Sequence, residues 1–169
     1  MFIRTETEAD YTNIYNLVKI AFQTAKVSNG KEQDYVNQLR ASGNYIPELA
    51  LIAEKNGEIL GHIMLTKTHI TNGDKKYEAL LLAPLSVVLA HRNKGVGSKL
   101  ICDSFELAKK MGYLSVIVVG DPAYYQRFGF KPSAEFGIRN IDNIPDMYVM
   151  ACELAANALK NTGGDISFS

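Results

Sequence analysis

The chain has 169 residues, of which 47% are hydrophobic and 21% are charged. This composition supplies a core for one domain and excludes an intrinsically disordered chain. Eighteen Lys and Arg residues balance eighteen Asp and Glu residues, whereas a nucleic-acid-binding protein normally carries a basic excess. We therefore expect a single domain spanning residues 1–169 that has no nucleic-acid partner.

The cysteines and the apolar segments predict the cellular compartment. Cys102 and Cys152 lack metal-ligand spacing and lie in apolar patterns, which predicts reduced, buried thiols rather than a disulfide framework. The N-terminal segment lacks the apolar stretch of a signal peptide. No apolar run reaches the length of a membrane span. These features predict a soluble, cytoplasmic protein without a bound metal and without a membrane partner.

The predicted elements of the first half begin with a strand at residues 2–5. Thr7 and Asp10 have the spacing of a capping box, and apolar residues at helical spacing carry the following helix to about residue 22. A second helix is expected over 32–40. Two strands at 49–55 and 58–70 are then joined by Asn56-Gly57, a dipeptide typical of a type I′ hairpin.

The second half alternates strands and helices. Its predicted elements are a buried strand at 79–89, a helix from Gly97 to about 111, a strand at 113–119, a helix to 128 capped by Asp121, strands at 130–136 and 147–154, and a short strand in the Gly-rich tail. Pro84 marks a bulge or the place where strand pairing stops. This order predicts a mixed α/β fold with helices on both faces of a mixed sheet.

The segment from residue 85 to 101 joins an apolar strand to a helix through a polar turn. Gly95 and Gly97 lack Cβ atoms, so the backbone there can approach a ligand closely. The N–H groups of the first helical turn and the helix dipole favour an anion, and Arg92 and Lys94 add positive charge. The pattern predicts a pyrophosphate site, and the alternative is a turn whose glycines only close the connection.

Two other glycine-rich loops do not fit this segment. A P-loop needs Gly-Lys followed by Ser or Thr, whereas this chain has Gly97-Ser98-Lys99. A dinucleotide-binding fingerprint needs a third glycine where Leu100 stands. An unrelated nucleotide-binding domain is therefore disfavoured.

Two motifs in this chain match a known family. Arg92, Gly95 and Gly97 fit the signature Arg/Gln-x-x-Gly-x-Gly/Ala, and the segment 125–130 fits a downstream motif Tyr-x-x-x-Gly-Phe. With both motifs in order, the chain resembles the GNAT superfamily of N-acetyltransferases, and segments 84–87 and 120–125 resemble its bacterial YhbS-like group. The resemblance implies a mostly antiparallel central sheet splayed between strands 4 and 5, acetyl-CoA as cosubstrate, and a homodimer as one possible assembly.

The resemblance implies two groups of cofactor-binding residues. The main chain of Leu85, Ser86 and Val87 would pair with the pantetheine arm, and the Val87 N–H would stabilise the oxyanion. The second group would hold the pyrophosphate, chiefly through backbone amides. Its members are Arg92, Asn93, Lys94, Gly95, Val96, Gly97 and Ser98.

The resemblance implies a residue for the acid of the reaction but none for the base. Tyr125 matches the family tyrosine that lies near the thioester sulfur and can protonate the departing thiolate; the alternative is a core aromatic. Leu81 stands where histone-type members carry a glutamate, so that base is not carried over. Glu54, Glu78 and His62, a water chain, or an already deprotonated substrate are the alternatives.

The resemblance implies an N-acetyltransferase in which a primary amine attacks acetyl-CoA directly in a ternary complex. The segment 26–45, which carries Tyr35 and Tyr45, would cover the acceptor, and its mixed character favours a small amine over a protein amine. The alternative is a non-catalytic sensor that binds acyl-CoA. A sensor would need the turn at 92–97 but not Tyr125.

Overall fold

A computed structural model describes residues 1–168, within which the chain forms four α-helices and nine β-strands. The helices are α1 (Tyr11–Phe22), α2 (Glu32–Ala41), α3 (Val96–Lys110) and α4 (Pro122–Tyr125). The strands are β1 (Phe2–Thr5), β2 (Ala50–Lys55), β3 (Glu58–Asn72), β4 (Lys75–Val87), β5 (Ser115–Val119), β6 (Lys131–Pro132), β7 (Ile138–Asn140), β8 (Val149–Glu153) and β9 (Gly164–Ile166). They form two compact units, the first made of Met1–Thr66 and Leu82–Leu107, the second of Lys67–Leu81 and the chain from Ala108 onward.

The sheet of the first unit has the strand order β1-β2-β3-β4. Both β1–β2 and β2–β3 are antiparallel, and the second pair aligns Ile52 with His62. Helices α1 and α2 pack on one face of this sheet through Ile14, Val18, Val36, Leu39, Ala50, Ile52 and Met64. Gly61 faces the other way, because a Cβ built there would lie 2.9 Å from Leu100 of α3. Helices therefore cover both faces, as predicted.

Local sequence signals account for the boundaries in this unit. The Thr7 backbone N–H donates to Asp10 Oδ2 at 2.8 Å, and a 3₁₀ turn over Glu8–Asp10 leads into α1. Asn56 and Gly57 have φ values of 52° and 79°, the left-handed pair that a type I′ turn requires. The predicted capping box and hairpin are confirmed.

The second unit has the strand order β3-β4-β5-β8-β6, with β4 and β5 parallel. Strands β5–β8 and β8–β6 are antiparallel, β9 runs antiparallel to β3, and β7 runs parallel to β9. Its core contains Ile70, Ala79, Ile117, Ile138, Val149, Ala151, Leu159 and Ile166. The mixed, mostly antiparallel sheet is confirmed.

Two strand predictions are wrong in their extent. β4 begins at Lys75 rather than at residue 79, and it ends at Val87 before a 3₁₀ turn. Only Lys131–Pro132 is extended within the strand predicted at 130–136, and a 3₁₀ turn follows. Pro132 has no N–H for a ladder, and Gly137 ends the turn with φ of 70°, after which the unpredicted β7 begins.

The remaining expectations concern thiols, membranes and metals. Cys102 and Cys152 are both unbridged, and only Cys152 is buried, so the expectation that both are buried is wrong. No helix within residues 1–168 is long and apolar enough to cross a membrane. Across the same residues there is no group of three or more His, Cys, Asp or Glu side chains that could hold a metal ion.

Candidate active site

The turn between β4 and α3 takes two left-handed backbone positions. Asn93 has φ of 61° and Gly95 has φ of 83°, and both residues are exposed. Nothing lies within 4 Å of a Cβ built on Gly95, so conformation rather than space selects glycine there. Asparagine is among the few other residues that adopt this conformation readily. The turn therefore bends sharply into the helix.

The start of α3 presents backbone N–H groups without helical partners. The Lys99 N–H bonds to the Gly95 carbonyl at 3.0 Å, so the N–H groups of Val96, Gly97 and Ser98 come before the first helical bond. The helix has 15 residues, and its dipole favours an anion at this end. The geometry suits a pyrophosphate held by main-chain amides.

Arg92 connects this turn to the first helix. Its Nη1 donates to Thr24 Oγ1 and its Nη2 to the Ala21 carbonyl, each at 2.8 Å. Ala21 belongs to the last turn of α1, where carbonyl groups lack helical partners. The guanidinium thus positions the turn against α1, and its contact with a phosphate stays a prediction. Lys94 is exposed beside the amides.

The strand positions assigned to the pantetheine arm lie at the end of β4. Ser86 is buried, whereas Leu85 and Val87 are half-buried. A Cβ built on Gly61 would lie 3.0 Å from the Ser86 carbonyl oxygen, which shows that β3 runs close beside this segment.

Tyr125 lies at the end of α4 in the second unit. Asp121 caps this helix by accepting a hydrogen bond from the Ala123 N–H at 3.1 Å, as predicted. The Tyr125 ring centroid is 5.5 Å from that of Phe130 at an interplanar angle of 71°. Burial, followed by the proximity of Tyr124 and of Asp121, raises the pKa of Tyr125. Its phenol therefore keeps its proton at neutral pH.

Gly120 determines where the Tyr125 ring can lie, a role that no local sequence pattern indicates. A Cβ built on Gly120 would overlap Cε2 of Tyr125 and lie 2.9 Å from its Cδ2. The backbone of Gly120 has no left-handed conformation that would itself require glycine. Space for the ring explains this glycine.

We expect Gly120→Ala to lower the free energy of unfolding by about 1–3 kcal/mol, because overpacking strains a filled site. The same change in a Tyr125→Ala background should cost much less, since the clashing ring is gone. Urea unfolding of the wild type, Gly120→Ala, Tyr125→Ala and the double variant measures the cost of Gly120→Ala in both backgrounds. Gly43→Ala is the control, because Gly43 is exposed. An equal cost in both backgrounds would contradict the steric assignment.

A buried polar network lies in the first unit. Arg40 donates to the Glu6 carboxylate through Nε at 2.7 Å and Nη2 at 3.0 Å, and the Tyr45 hydroxyl donates to it at 2.9 Å. His62 Nε2 lies 2.9 Å from Glu6 Oε1. The side chains of Glu6 and His62 are both 0% exposed. Glu6 and Arg40 were not predicted, because they lie far from His62 in sequence.

The network shifts the titration of its members. Burial alone raises the pKa of Glu6, but hydrogen bonds from His62 and Arg40 outweigh burial and lower it to about 2. Burial lowers the pKa of His62, partly opposed by the bond to Glu6. Burial and the neighbouring Glu6 raise the pKa of Tyr45. At neutral pH, Glu6 is therefore a carboxylate, His62 is neutral and Tyr45 is protonated.

The three protein residues considered as a base differ in their surroundings. Glu54 pairs with Arg4 at 3.3 Å, Glu78 is exposed on β4, and His62 is buried. His62 is therefore the candidate that the structure combines with an orienting carboxylate.

Replacing Glu6 by glutamine should lower stability by about 3–5 kcal/mol at pH 7, because it breaks a buried ion pair with Arg40. The folded-state pKa of Glu6, about 2, lies below its ordinary value of 4.5. Its stabilisation is therefore complete above about pH 4.5 and is lost as pH falls toward 2. Urea unfolding from pH 3 to pH 7 tests this expectation against exposed Glu48→Gln. If the free energies of unfolding of Glu6→Gln and wild type differed by the same amount at every pH, the expectation would be contradicted.

Comparison with known proteins identifies relatives. The chain is 34% identical over 112 residues to the uncharacterized N-acetyltransferase YjhQ of Escherichia coli (strain K12), a match that covers 66% of this chain and 62% of YjhQ. The chain thus spans less than two thirds of YjhQ. It is 29% identical over 140 residues to the uncharacterized N-acetyltransferase YhbS of the same strain, which covers 82% of this chain and 78% of YhbS.

Solved structures share the fold. A crystal structure of YhbS from Escherichia coli in complex with CoA matches 99% of this chain and 89% of its own, with a TM-score of 0.87 and 24% identity. A GNAT family acetyltransferase from Brucella melitensis in complex with acetyl-CoA matches 99% and 95%, with a TM-score of 0.79 and 28% identity. The family model for the acetyltransferase (GNAT) domain matches residues 2–133. The chain therefore belongs to the GNAT acetyltransferase family.

Proposed function

We propose that this chain uses acetyl-CoA to acetylate a primary amine, by direct attack in a ternary complex. The observation that carries the proposal is the turn from Arg92 to Ser98, which presents the N–H groups at the start of α3 directly after an apolar strand. A helix N-terminus of this kind favours a pyrophosphate. The CoA and acetyl-CoA complexes of the two neighbouring structures support the same ligand.

The turn and the end of β4 bind different parts of acetyl-CoA. The amides from Asn93 to Ser98 hold the pyrophosphate, and Lys94 adds charge beside them. The main chain of Leu85, Ser86 and Val87 pairs with the pantetheine arm. The Val87 N–H stabilises the negative charge that develops on the thioester oxygen, and preorganised dipoles of this kind are often the largest catalytic contribution.

Tyr125 supplies the proton for the departing thiolate in this proposal. Burial raises the pKa of Tyr125, so its phenol carries a proton at neutral pH, the state that a proton donor to the thiolate needs. A single acetyltransferase domain over residues 1–169 and a cytoplasmic location are part of the proposal. The proposed acceptor is a small amine, because the segment 26–45 that would cover it has mixed character.

The test is a thiol-release assay with the purified chain, acetyl-CoA and a panel of small amines, amino acids and peptides. Mass spectrometry of the acceptor confirms transfer, and calorimetry measures CoA binding separately. We expect turnover with at least one small primary amine. Tight CoA binding without turnover of any acceptor would contradict the proposal and favour the acyl-CoA sensor.

A further inference from the structure

Three buried side-chain atoms in the first unit have no hydrogen-bond partner within residues 1–168. They are Nδ1 of His62, Oγ1 of Thr66 and Oγ of Ser86. Buried polar atoms in proteins are nearly always bonded, so such atoms point to bonds with water or with a ligand. His62 and Thr66 lie four residues apart on β3 and therefore share a face. Gly61, next to His62, lies against the carbonyl of Ser86.

The contact with Glu6 determines the tautomer of His62. A carboxylate only accepts hydrogen bonds, so the 2.9 Å contact requires the proton on Nε2 of the ring. In a neutral imidazole, Nδ1 then carries the lone pair. This is the arrangement of a base oriented by a carboxylate.

Resting on the acetyl transfer proposed above, we propose that His62 is the proton acceptor of the reaction, with Glu6 as its positioning residue. Nδ1 takes a proton from the acceptor ammonium, directly or through one water. The amine lone pair then forms the bond to the acetyl carbon. As the carbon–sulfur bond breaks, the nitrogen loses its second proton to water, the thiolate takes a proton from the Tyr125 phenol, and the phenolate takes one back from water. The imidazolium of His62 finally returns its proton to solvent.

The charged and titratable groups near His62 come from every element of the network. Glu6 follows β1, Arg40 lies on α2, and Tyr45 precedes β2. Tyr11 of α1 lies with its ring centroid 3.9 Å from the Arg40 guanidinium. The pKa of Glu6 is about 2 and that of Tyr45 is raised. Neither group titrates near neutrality. Burial lowers the pKa of His62, so its ring is neutral at pH 7 and Nδ1 is free of a proton.

The test compares wild type with His62→Gln. The glutamine amide can still donate to Glu6 but has no titrating ring. His69→Gln is the matched control, because His69 lies on the same strand and is exposed. We expect kcat/KM for a small amine at pH 7 to fall about 10²–10⁴-fold in His62→Gln, the usual contribution of a positioned base. The loss should shrink as pH approaches the pKa of the amine, because solvent then removes the proton.

Two further measurements separate a catalytic role from a structural one. Calorimetry should give unchanged CoA affinity in His62→Gln. ¹⁵N NMR of the wild-type protein should show His62 neutral at pH 7 with its proton on Nε2, and this measurement needs no variant.

Several results would overturn the inference. Activity of His62→Gln within twofold of wild type at every pH, or a loss that is equal at every pH, would do so. An imidazolium or an Nδ1–H tautomer in the NMR spectrum would do so as well. A wild-type protein without turnover would overturn the proposed function together with this inference, whereas an active wild type with an unaffected His62→Gln overturns the inference alone.

Discussion

Gly97→Val should weaken CoA binding by about ten- to a hundredfold. Gly97 is the second residue of α3, so its N–H belongs to the group proposed to hold the pyrophosphate. A branched side chain there would prevent close approach of the phosphates. A hydrogen bond to a charged group contributes about 1.5–3 kcal/mol, and each 1.4 kcal/mol is about tenfold in affinity. Losing one such bond accounts for the expected range.

Calorimetric titration with CoA measures this effect in wild type, Gly97→Ala and Gly97→Val. The CoA affinity of Gly97→Ala should lie between those of wild type and Gly97→Val, because the alanine side chain is smaller than that of valine. Gly43→Val is the control, since Gly43 is exposed and nothing lies within 4 Å of a Cβ built there. The CoA-dependent rise in melting temperature should shrink in the same order. A folded Gly97→Val protein that binds CoA with wild-type affinity would contradict the pyrophosphate assignment.

The elements that could be predicted from sequence are those determined by residues close together in the chain. The spacing of Ile14, Leu17 and Val18 predicts α1 because a helix buries one stripe of side chains. Asn56-Gly57 predicts the hairpin because both residues adopt the left-handed region. The turn before α3 was found for the same reason, since its glycines and the helix start are adjacent in the chain.

The strand errors arise where pairing or a turn, rather than composition, determines the structure. Lys75 and Lys76 are polar and exposed, so composition resembles a loop, yet the β3–β4 hairpin extends through them. Conversely, the segment after Phe130 is partly apolar but turns at Gly137. A hydrophobic pattern does not record where a partner strand begins or ends.

The parts of the site that sequence reasoning missed depend on contacts between distant residues. Glu6 and His62 are 56 positions apart, and no local pattern joins a carboxylate after β1 to a histidine on β3. Gly120 could be assigned only as a residue before a helix, because its contact with the Tyr125 ring exists only in the fold. Arg92 was assigned from a motif, whereas its bonds to α1 need three-dimensional proximity.

Tyr125→Phe should reduce turnover by about 10²–10⁴-fold and leave acetyl-CoA binding nearly unchanged. Phenylalanine keeps the ring that packs against Phe130 and Tyr124, so the local structure and stability should persist. What is lost is the hydroxyl proton, and a positioned acid typically contributes a factor of this size. Because the pKa of Tyr125 is raised, the wild-type phenol stays protonated near neutrality. The loss should therefore not vary between about pH 6 and pH 8.

Steady-state rates and calorimetric binding, measured together, separate the roles of Tyr125. Loss of kcat with unchanged affinity indicates an interaction made only in the transition state. Tyr124→Phe is the control, because the adjacent ring has its own hydroxyl and a raised pKa, but adjacent positions on a helix face different directions. If Tyr125 is only a core aromatic, Tyr125→Phe should change neither kcat nor the affinity for acetyl-CoA. Full activity in this variant would end the general-acid assignment, and the departing thiolate would then take its proton from Tyr124 or from water.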